Sequence, residues 1–210
     1  GVERLSLLPH DQQIAAGAKW VIRTGSFWQE GGGVMAADGV SRLNGRQTFG
    51  VTITQGGPGS ENTMGGIAQA YADNIPILYL PGGPTLAQYA VRPNCSPSRT
   101  YASVCKSTEI ITHPSQGSSA MRRAFHNLRN GRGGPVLVEI PADVGEQEIT
   151  EGSLSYTPPK RYRQSPDAQD VTEAVSLLLN ATKPVIWSGM GVRFARWPLS
   201  PSDAGYQRTR

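Results

Sequence analysis

Short apolar runs recur along the chain and are separated by longer segments with helical periodicity. The runs are rich in β-branched or aromatic residues and lack a strict apolar–polar alternation, which is typical of strands buried on both faces of a parallel sheet. The pattern therefore predicts an α/β fold in which helices flank a parallel sheet. Six runs are predicted to be strands: residues 2–8, 19–23, 48–54, 75–80, 135–140 and 184–187.

Helical segments fill most of the intervals between these runs. Four segments repeat apolar residues at helical spacing: 30–43, 62–73, 113–130 and 170–179. The first ends at Asn44 and Gly45, residue types that commonly terminate helices. The second cannot extend through Pro76, and Gly131 closes the third.

The composition of the chain changes after residue 150. Residues 151–168 include two adjacent prolines and few apolar residues, which indicates a linker between domains. A helix and a short apolar run follow, as at the beginning of another α/β domain. We therefore expect residues 1–150 to form one domain and residues 169–210 to be the truncated start of a second, central domain.

Composition and charge narrow the classes of partner. The 210 residues include 25 glycines and 16 prolines, which favours many tight turns, and the formal net charge is +4. No basic stripe with interleaved aromatic residues occurs, so we expect no nucleic-acid partner. No apolar run is long enough for a membrane span, so we expect no membrane partner either. Cys95 and Cys105 lack metal-ligand spacing and are typical of thiols in a reducing compartment, which predicts a cytoplasmic protein.

Glu30 is the first residue with candidate chemistry. It stands at the expected start of a helix, where the helix dipole stabilises a carboxylate, so a capping role would account for its position. However, the three glycines at 31–33 are unfavourable at a helix start. Their presence indicates that another group needs the space beside Glu30.

A glycine-rich loop at residues 55–62 is the second candidate feature. It lies between a predicted strand and a predicted helix, where glycines allow backbone N–H groups to face a ligand. A tight strand-to-helix connection capped by Ser60 would explain the same residues, and the spacing matches neither a P-loop nor the usual dinucleotide motif. A third segment, residues 131–144, combines a glycine turn, a buried strand and a terminating proline, and it is structural rather than chemical.

In their order and spacing these segments resemble the N-terminal pyrimidine-binding domain of thiamine diphosphate (ThDP) enzymes, in the acetolactate synthase-like group. The resemblance covers roughly residues 1–150, and it implies that the helix that usually precedes the family's first strand is missing here. The segments that carry it are Glu30, Met35–Arg42, Gly57–Asn62, Gly66–Asp73, Ile75–Ile77 and Gly131–Val144.

The resemblance implies roles for particular residues. Glu30 would be the catalytic residue and would hydrogen-bond N1′ of the cofactor's aminopyrimidine ring, where it takes part in proton exchange. A carboxyl group in a mostly apolar pocket favours its neutral form, which suits this exchange. Glu30 would share cofactor binding with five residues of the glycine-rich loop: Gln55, Gly57, Pro58, Gly59 and Asn62.

The resemblance also implies an activity for the full-length protein. This would be the cleavage or formation of C–C bonds next to a carbonyl, on a 2-oxo acid such as pyruvate, by a transferase or lyase that forms a homodimer or homotetramer. The Mg²⁺ that accompanies ThDP would be held by the family's C-terminal diphosphate-binding domain, whose motif is absent here. We therefore expect no metal ligands in this chain and no activity from it alone, and FAD use stays open.

Two alternatives fit the same residues. The first is a non-catalytic relative that keeps the ThDP fold without the reaction. The second is a nucleotide-binding α/β module that uses Gly56–Gly59 to hold a phosphate.

Overall fold

The structure of the chain is a computed structural model that describes residues 4–7, 23–44, 48–150, 152, 154–162 and 164–194. It divides into two compact units, Gly1–Arg161 and Tyr162–Arg210. Most of the predicted strand 19–23, and residues 195–210 of the expected central-domain segment, lie outside the described residues.

The first unit is built on a parallel sheet, as the apolar runs predict. Among the described residues the sheet has six strands in the order β2-β1-β3-β4-β6-β5, and every neighbouring pair is parallel. All five residues of β3 are buried, and so are six of the seven residues of β4, as expected for central strands covered on both faces. The strands are β1 (Arg4–Leu7), β2 (Arg23–Ser26), β3 (Gly50–Thr54), β4 (Ile77–Gly83), β5 (Ser107–Ile110) and β6 (Val136–Pro141).

Helices connect the strands of the first unit, which confirms the predicted α/β class. The longest of them begins at Glu30 and ends at Leu43, the same bounds that the sequence predicts. The α-helices of the whole chain are α1 (Glu30–Leu43), α2 (Pro58–Glu61), α3 (Met64–Ala72), α4 (Pro97–Thr100), α5 (Gly117–Arg129), α6 (Ala142–Gly145), α7 (Ala168–Asn180) and α8 (Met190–Phe194). Short 3₁₀ turns occur at Leu86–Gln88, Tyr101–Ser103 and Pro114–Gln116.

One strand prediction is wrong, and one strand was not predicted. Residues 184–187 form no strand, because a strand needs a neighbour to satisfy its backbone groups and no strand is described in the second unit. Ser107–Ile110 was not predicted, yet it pairs with β6 as an edge strand. Only one of its four residues, Ile110, is a large apolar residue, and all four are half-buried. The segment therefore lacks the apolar run by which the central strands are identified.

Small residues let α1 pack closely on the sheet. A Cβ atom on Gly50 of β3 would overlap the backbone of Ala37, and a Cβ on Gly66 of α3 would lie 2.7 Å from Cγ1 of Val34. The buried Ser41 hydroxyl donates to the carbonyl oxygen of Pro76 and accepts a hydrogen bond from the backbone N–H of Gly50 at 2.8 Å. Helix α1 is therefore fixed to β3 by backbone approach and by a buried hydroxyl.

The described part of the second unit consists mainly of α7. The Asp167 side chain caps this helix by accepting a hydrogen bond from the backbone N–H of Gln169 at 2.8 Å. Several apolar side chains of α7 are exposed, among them Val171, Val175 and Leu178. In the described part of the chain, no helix combines the length and apolar character that a membrane crossing requires.

The contact between Gly50 and Ala37 predicts a large effect of a single methyl group. Gly50→Ala should lower the free energy of unfolding by about 1–3 kcal/mol or more, because the added Cβ overlaps backbone that cannot move aside. Urea denaturation measures this loss.

Gly39→Ala is the matched control, since a Cβ at this position of α1 meets nothing within 4 Å. It should leave stability unchanged or raise it by up to about 1 kcal/mol through helix propensity. Equal losses in the two variants would contradict the close packing of α1 on β3.

Candidate functional site

The candidate residues lie where the order of the strands reverses. Strand β1 has β2 on one side and β3 on the other, so the chain passes from one side of β1 to the other between these two strands. Glu30 follows β2 after a connection of three residues, and Gln55 follows β3 directly. Ligands of open parallel sheets commonly bind at the carboxyl ends of the strands at such a point.

The structure brings Glu30 and Asn62 together from separate segments. Glu30 is the first residue of α1 and, at 8% exposure, is a buried residue. Nδ2 of Asn62 donates a hydrogen bond to Oε2 of Glu30 over 3.1 Å. In the part of the chain that the structure describes, no side chain donates to Oε1, the second carboxylate oxygen. Glu30 thus keeps one oxygen for a further hydrogen bond.

Gly59 adjoins the same carboxylate, and Gln55 adjoins Gly59. A Cβ atom on Gly59 would lie 3.2 Å from Oε1 of Glu30 and 2.6 Å from Cγ of Gln55. Glycine at residue 59 therefore lets both side chains lie close to the backbone of the loop. Of the predicted site residues, the structure places Asn62 and Gly59 next to Glu30, and Gln55 next to Gly59.

Gly57 and Pro58 set the direction of the loop. Gly57 has φ +64° and ψ −123°, a backbone conformation that side chains other than glycine rarely adopt. Pro58 then starts the short helix α2, where its missing N–H costs nothing. Gly56 lies against β4, because a Cβ at this residue would come within 2.9 Å of the carbonyl oxygen of Gly82. Packing thus accounts for Gly56.

A cluster of buried hydroxyl groups supports this loop. Oγ1 of Thr63 lies within hydrogen-bond distance of two hydroxyl groups, 2.8 Å from that of Tyr79 and 2.7 Å from that of Tyr101. The Tyr79 hydroxyl is also 2.9 Å from Oγ1 of Thr54, and Tyr101 donates to the backbone carbonyl of Ser60. We call Thr54, Thr63, Tyr79 and Tyr101 the hydroxyl cluster. All four side chains are at most 1% exposed.

Burial keeps the two tyrosines of the cluster neutral. It raises the pKa of Tyr79 well above the usual range, and the neighbouring Tyr101 raises it further. Burial also raises the pKa of Tyr101, although its hydrogen bonds with Thr63 and Tyr79 oppose the shift. Both phenols therefore act as hydrogen-bonding groups rather than as acids or bases at neutral pH.

Sequence reasoning did not identify the hydroxyl cluster. Tyr79 falls within a predicted buried strand, and the hydroxyl of a buried tyrosine requires a hydrogen-bond partner. A polar neighbour of Tyr79 could therefore have been predicted from the sequence. Thr63 and Tyr101 gave no comparable signal, because their proximity arises only in the folded chain. Among the described residues, no three His, Cys, Asp or Glu side chains are grouped as metal ligands would be.

Comparisons with known proteins show what the chain is similar to. The sequence model of a family described as "Thiamine pyrophosphate enzyme, N-terminal TPP binding domain" matches residues 8–103. The chain is 31% identical to an acetolactate synthase of Arthrospira platensis, over 79% of this chain and 29% of that protein. It is 34% identical to an acetolactate synthase large subunit of Corynebacterium glutamicum, over 78% of this chain and 26% of that protein.

A relative with a different name is similarly close. The chain is 31% identical to a glyoxylate carboligase of Escherichia coli O157:H7, over 74% of this chain and 26% of that protein. The chain thus spans less than a third of the length of each of these relatives.

The hydroxyl cluster predicts a cost for removing its central oxygen. Thr63→Val keeps the shape of the side chain but deprives the two buried tyrosines of a partner, so unfolding should become easier by about 1–3 kcal/mol. Thr108→Val is the control: this half-buried threonine of β5 makes no side-chain hydrogen bond to a described residue, and its change should stay within about 0.5 kcal/mol. A loss no greater for Thr63→Val than for Thr108→Val in urea denaturation would show that the cluster does not support the loop.

Proposed function

Since the chain belongs to the thiamine pyrophosphate enzyme family, we propose that Glu30 and the loop 55–62 form the site for the aminopyrimidine ring of thiamine diphosphate. The observation that carries this proposal is the buried Glu30 carboxylate at the first turn of α1. One of its oxygens is bound by Asn62, and the other, which has no hydrogen-bond partner among the described residues, lies beside Gly59.

The residues present suit an aminopyrimidine. A heteroaromatic ring with nitrogen acceptors and an amino group needs a few directed hydrogen-bonding groups. The carboxyl group of Glu30 would hydrogen-bond a ring nitrogen, while Asn62 holds the opposite oxygen of the same group. Gln55 is exposed at the end of β3 and contributes an amide donor and acceptor.

Glu30 holds and moves a proton in this proposal. In its protonated form Oε1 donates to N1′ of the ring, and in its ionised form it accepts that proton back. Asn62 fixes the rotamer of Glu30, so the proton is exchanged at one oxygen. When bound, ThDP supplies a nucleophilic carbon that adds to a carbonyl and an electron sink for the carbanion that follows.

We extend the proposal to the whole protein on the basis of the names of its relatives. Two of them are named as acetolactate synthases and one as a glyoxylate carboligase. The reaction we propose is therefore C–C bond cleavage or formation on a 2-oxo acid such as pyruvate, catalysed by a cytoplasmic transferase or lyase that acts as a homodimer or homotetramer. The Mg²⁺ and diphosphate contacts of the cofactor are assigned to parts of the protein other than the residues described.

Glu30→Gln tests the role of the carboxyl group. The amide cannot exchange a proton with N1′, so the kcat of the complete enzyme that carries this domain should fall roughly 100-fold or more. In the 210-residue chain, the ¹³Cδ resonance of Glu30 should shift when ThDP is added, because the ring binds at its free oxygen.

Glu146→Gln is the matched control, since Glu146 is an exposed carboxylate of the same unit and lies outside the loop 55–62. It should leave kcat within about twofold, as expected for a surface substitution. Full turnover by Glu30→Gln would exclude the catalytic role. A Glu30 resonance that responds to ThDP in an enzyme without turnover would instead favour a non-catalytic relative of the family.

A further inference from the structure

A surface cavity of about 380 Å³ lies in the segment that follows β4. Its volume falls within the roughly 300–1,000 Å³ that is usual for ligand pockets. None of its lining residues belongs to the group around Glu30. Seven residues line it: Ala90, Arg92, Asn94, Cys95, Ser96, Arg99 and Thr100.

The two arginines of this cavity have no acidic partner. Neither Arg92 nor Arg99 forms an ion pair with any residue in the described ranges. Other arginines of the same unit do have oxygen partners: Arg42 binds Asp38 and Asp73, Arg123 binds Glu109, and Arg132 binds Asn74. Arg92 and Arg99 therefore differ from these arginines in having their guanidinium groups available.

The chain segment that forms the cavity lacks acidic residues. No aspartate or glutamate occurs from residue 74 to residue 108, a stretch of chain that includes Arg92, Arg99 and Lys106. The ammonium group of Lys106 is occupied, since it donates to the backbone carbonyls of Asn127 and Asn130 at 2.6 Å each. The positive charge that remains in this stretch belongs to the two arginines of the cavity.

The backbone of the cavity is held in place by its own hydrogen bonds. Oγ of Ser96 accepts from the backbone N–H of Ala90 at 3.2 Å, and the backbone N–H of Thr100 donates to the carbonyl of Ser96 at 3.0 Å. Beneath them, Oε2 of the buried Glu139 accepts from the backbone N–H of Ser98 at 2.8 Å. Because this backbone is already ordered, a ligand would meet a preformed cavity, and its binding would cost little conformational entropy.

We propose that Arg92 and Arg99 form a binding site for a small oxyanion ligand that carries a phosphate or carboxylate group. The planar guanidinium fork binds two oxygens of such a group at once, and two arginines that line one cavity suit a ligand with several anionic oxygens. Asn94 and Ser96 add an amide and a hydroxyl group that can donate to the remaining oxygens. This site is independent of the pyrimidine site proposed for Glu30.

Titration of the 210-residue chain tests the proposal. The chain is labelled with ¹⁵N-arginine, and inorganic pyrophosphate or citrate is added against sodium chloride of equal ionic strength. The Nε–H resonances of Arg92 and Arg99 should shift and saturate with pyrophosphate, with citrate, or with both. Tighter binding of pyrophosphate identifies a phosphate ligand, and tighter binding of citrate identifies a carboxylate ligand.

Variants separate a built site from general attraction by a basic surface. Arg92→Gln and Arg99→Gln should each weaken binding roughly tenfold or more, as expected for the loss of a bidentate, charge-assisted contact. Arg122→Gln removes an equal charge from the exposed face of α5 and should change the affinity less than about twofold. Glu30→Gln should leave the affinity unchanged, so the outcome does not depend on the function proposed for Glu30.

Two results would overturn the proposal. One is a wild-type chain whose Arg92 and Arg99 resonances respond to pyrophosphate and citrate no more than to sodium chloride. The other is an Arg122→Gln variant that loses as much affinity as Arg92→Gln, which would mean that the anions bind to positive charge in general. The wild-type titration remains decisive even if a variant fails to fold.

Discussion

The close approach of α1 to β3 determines where the Glu30 carboxylate lies. The Gly50 backbone meets the Ala37 backbone without an intervening side chain, and the Ser41 hydroxyl joins the helix to the backbone of both β3 and Pro76. Because β3 leads directly into the loop 55–62, the helix and the loop take their positions from the same strand. Because both are positioned by β3, Asn62 of the loop and Glu30 of the helix come within 3.1 Å and form a hydrogen bond.

The hydroxyl cluster is the polar counterpart of this packing. It ties β3, β4 and the turn at Tyr101 to the backbone of the loop through Ser60 and Thr63. A buried hydroxyl that loses its partner costs about 1–3 kcal/mol, so the members of the cluster depend on one another. The loop is thus held by a hydrogen-bonded network, while the glycine at residue 59 lets Glu30 and Gln55 lie close to the loop backbone. An ordered loop beside a carboxylate with one unpaired oxygen is what a preorganised binding site requires.

The sequence predicted elements whose signals are local. Helix α1 has the predicted bounds because its apolar face, its initial carboxylate and the Asn44 stop lie within one segment. The edge strand Ser107–Ile110 was missed because its stability comes from pairing with β6 rather than from its own apolar residues. The resemblance assigned Glu30 and Asn62 to the same cofactor site, but the hydrogen bond between them was not predicted, since 32 residues separate them and no local rule links them.

Glu139 shows how the same sheet organises a second region of the molecule. Its side chain is fully buried on β6, and burial raises the pKa of this carboxyl group, although the hydrogen bonds from Ser98 oppose the shift. Its Oε1 atom has no hydrogen-bond partner among the described residues and lies against Gly83, where a Cβ would overlap it. Burying an acid with only one hydrogen-bonded oxygen lowers the stability of the fold. The oxygen that is bonded anchors α4 by accepting from the Ser98 N–H. Since α4 carries Arg99, this anchor holds one of the two arginines at the cavity. The first unit therefore contains two buried glutamates, each hydrogen-bonded on one oxygen: Glu30 on α1 belongs to the cofactor site we propose, and Glu139 on β6 supports the oxyanion site.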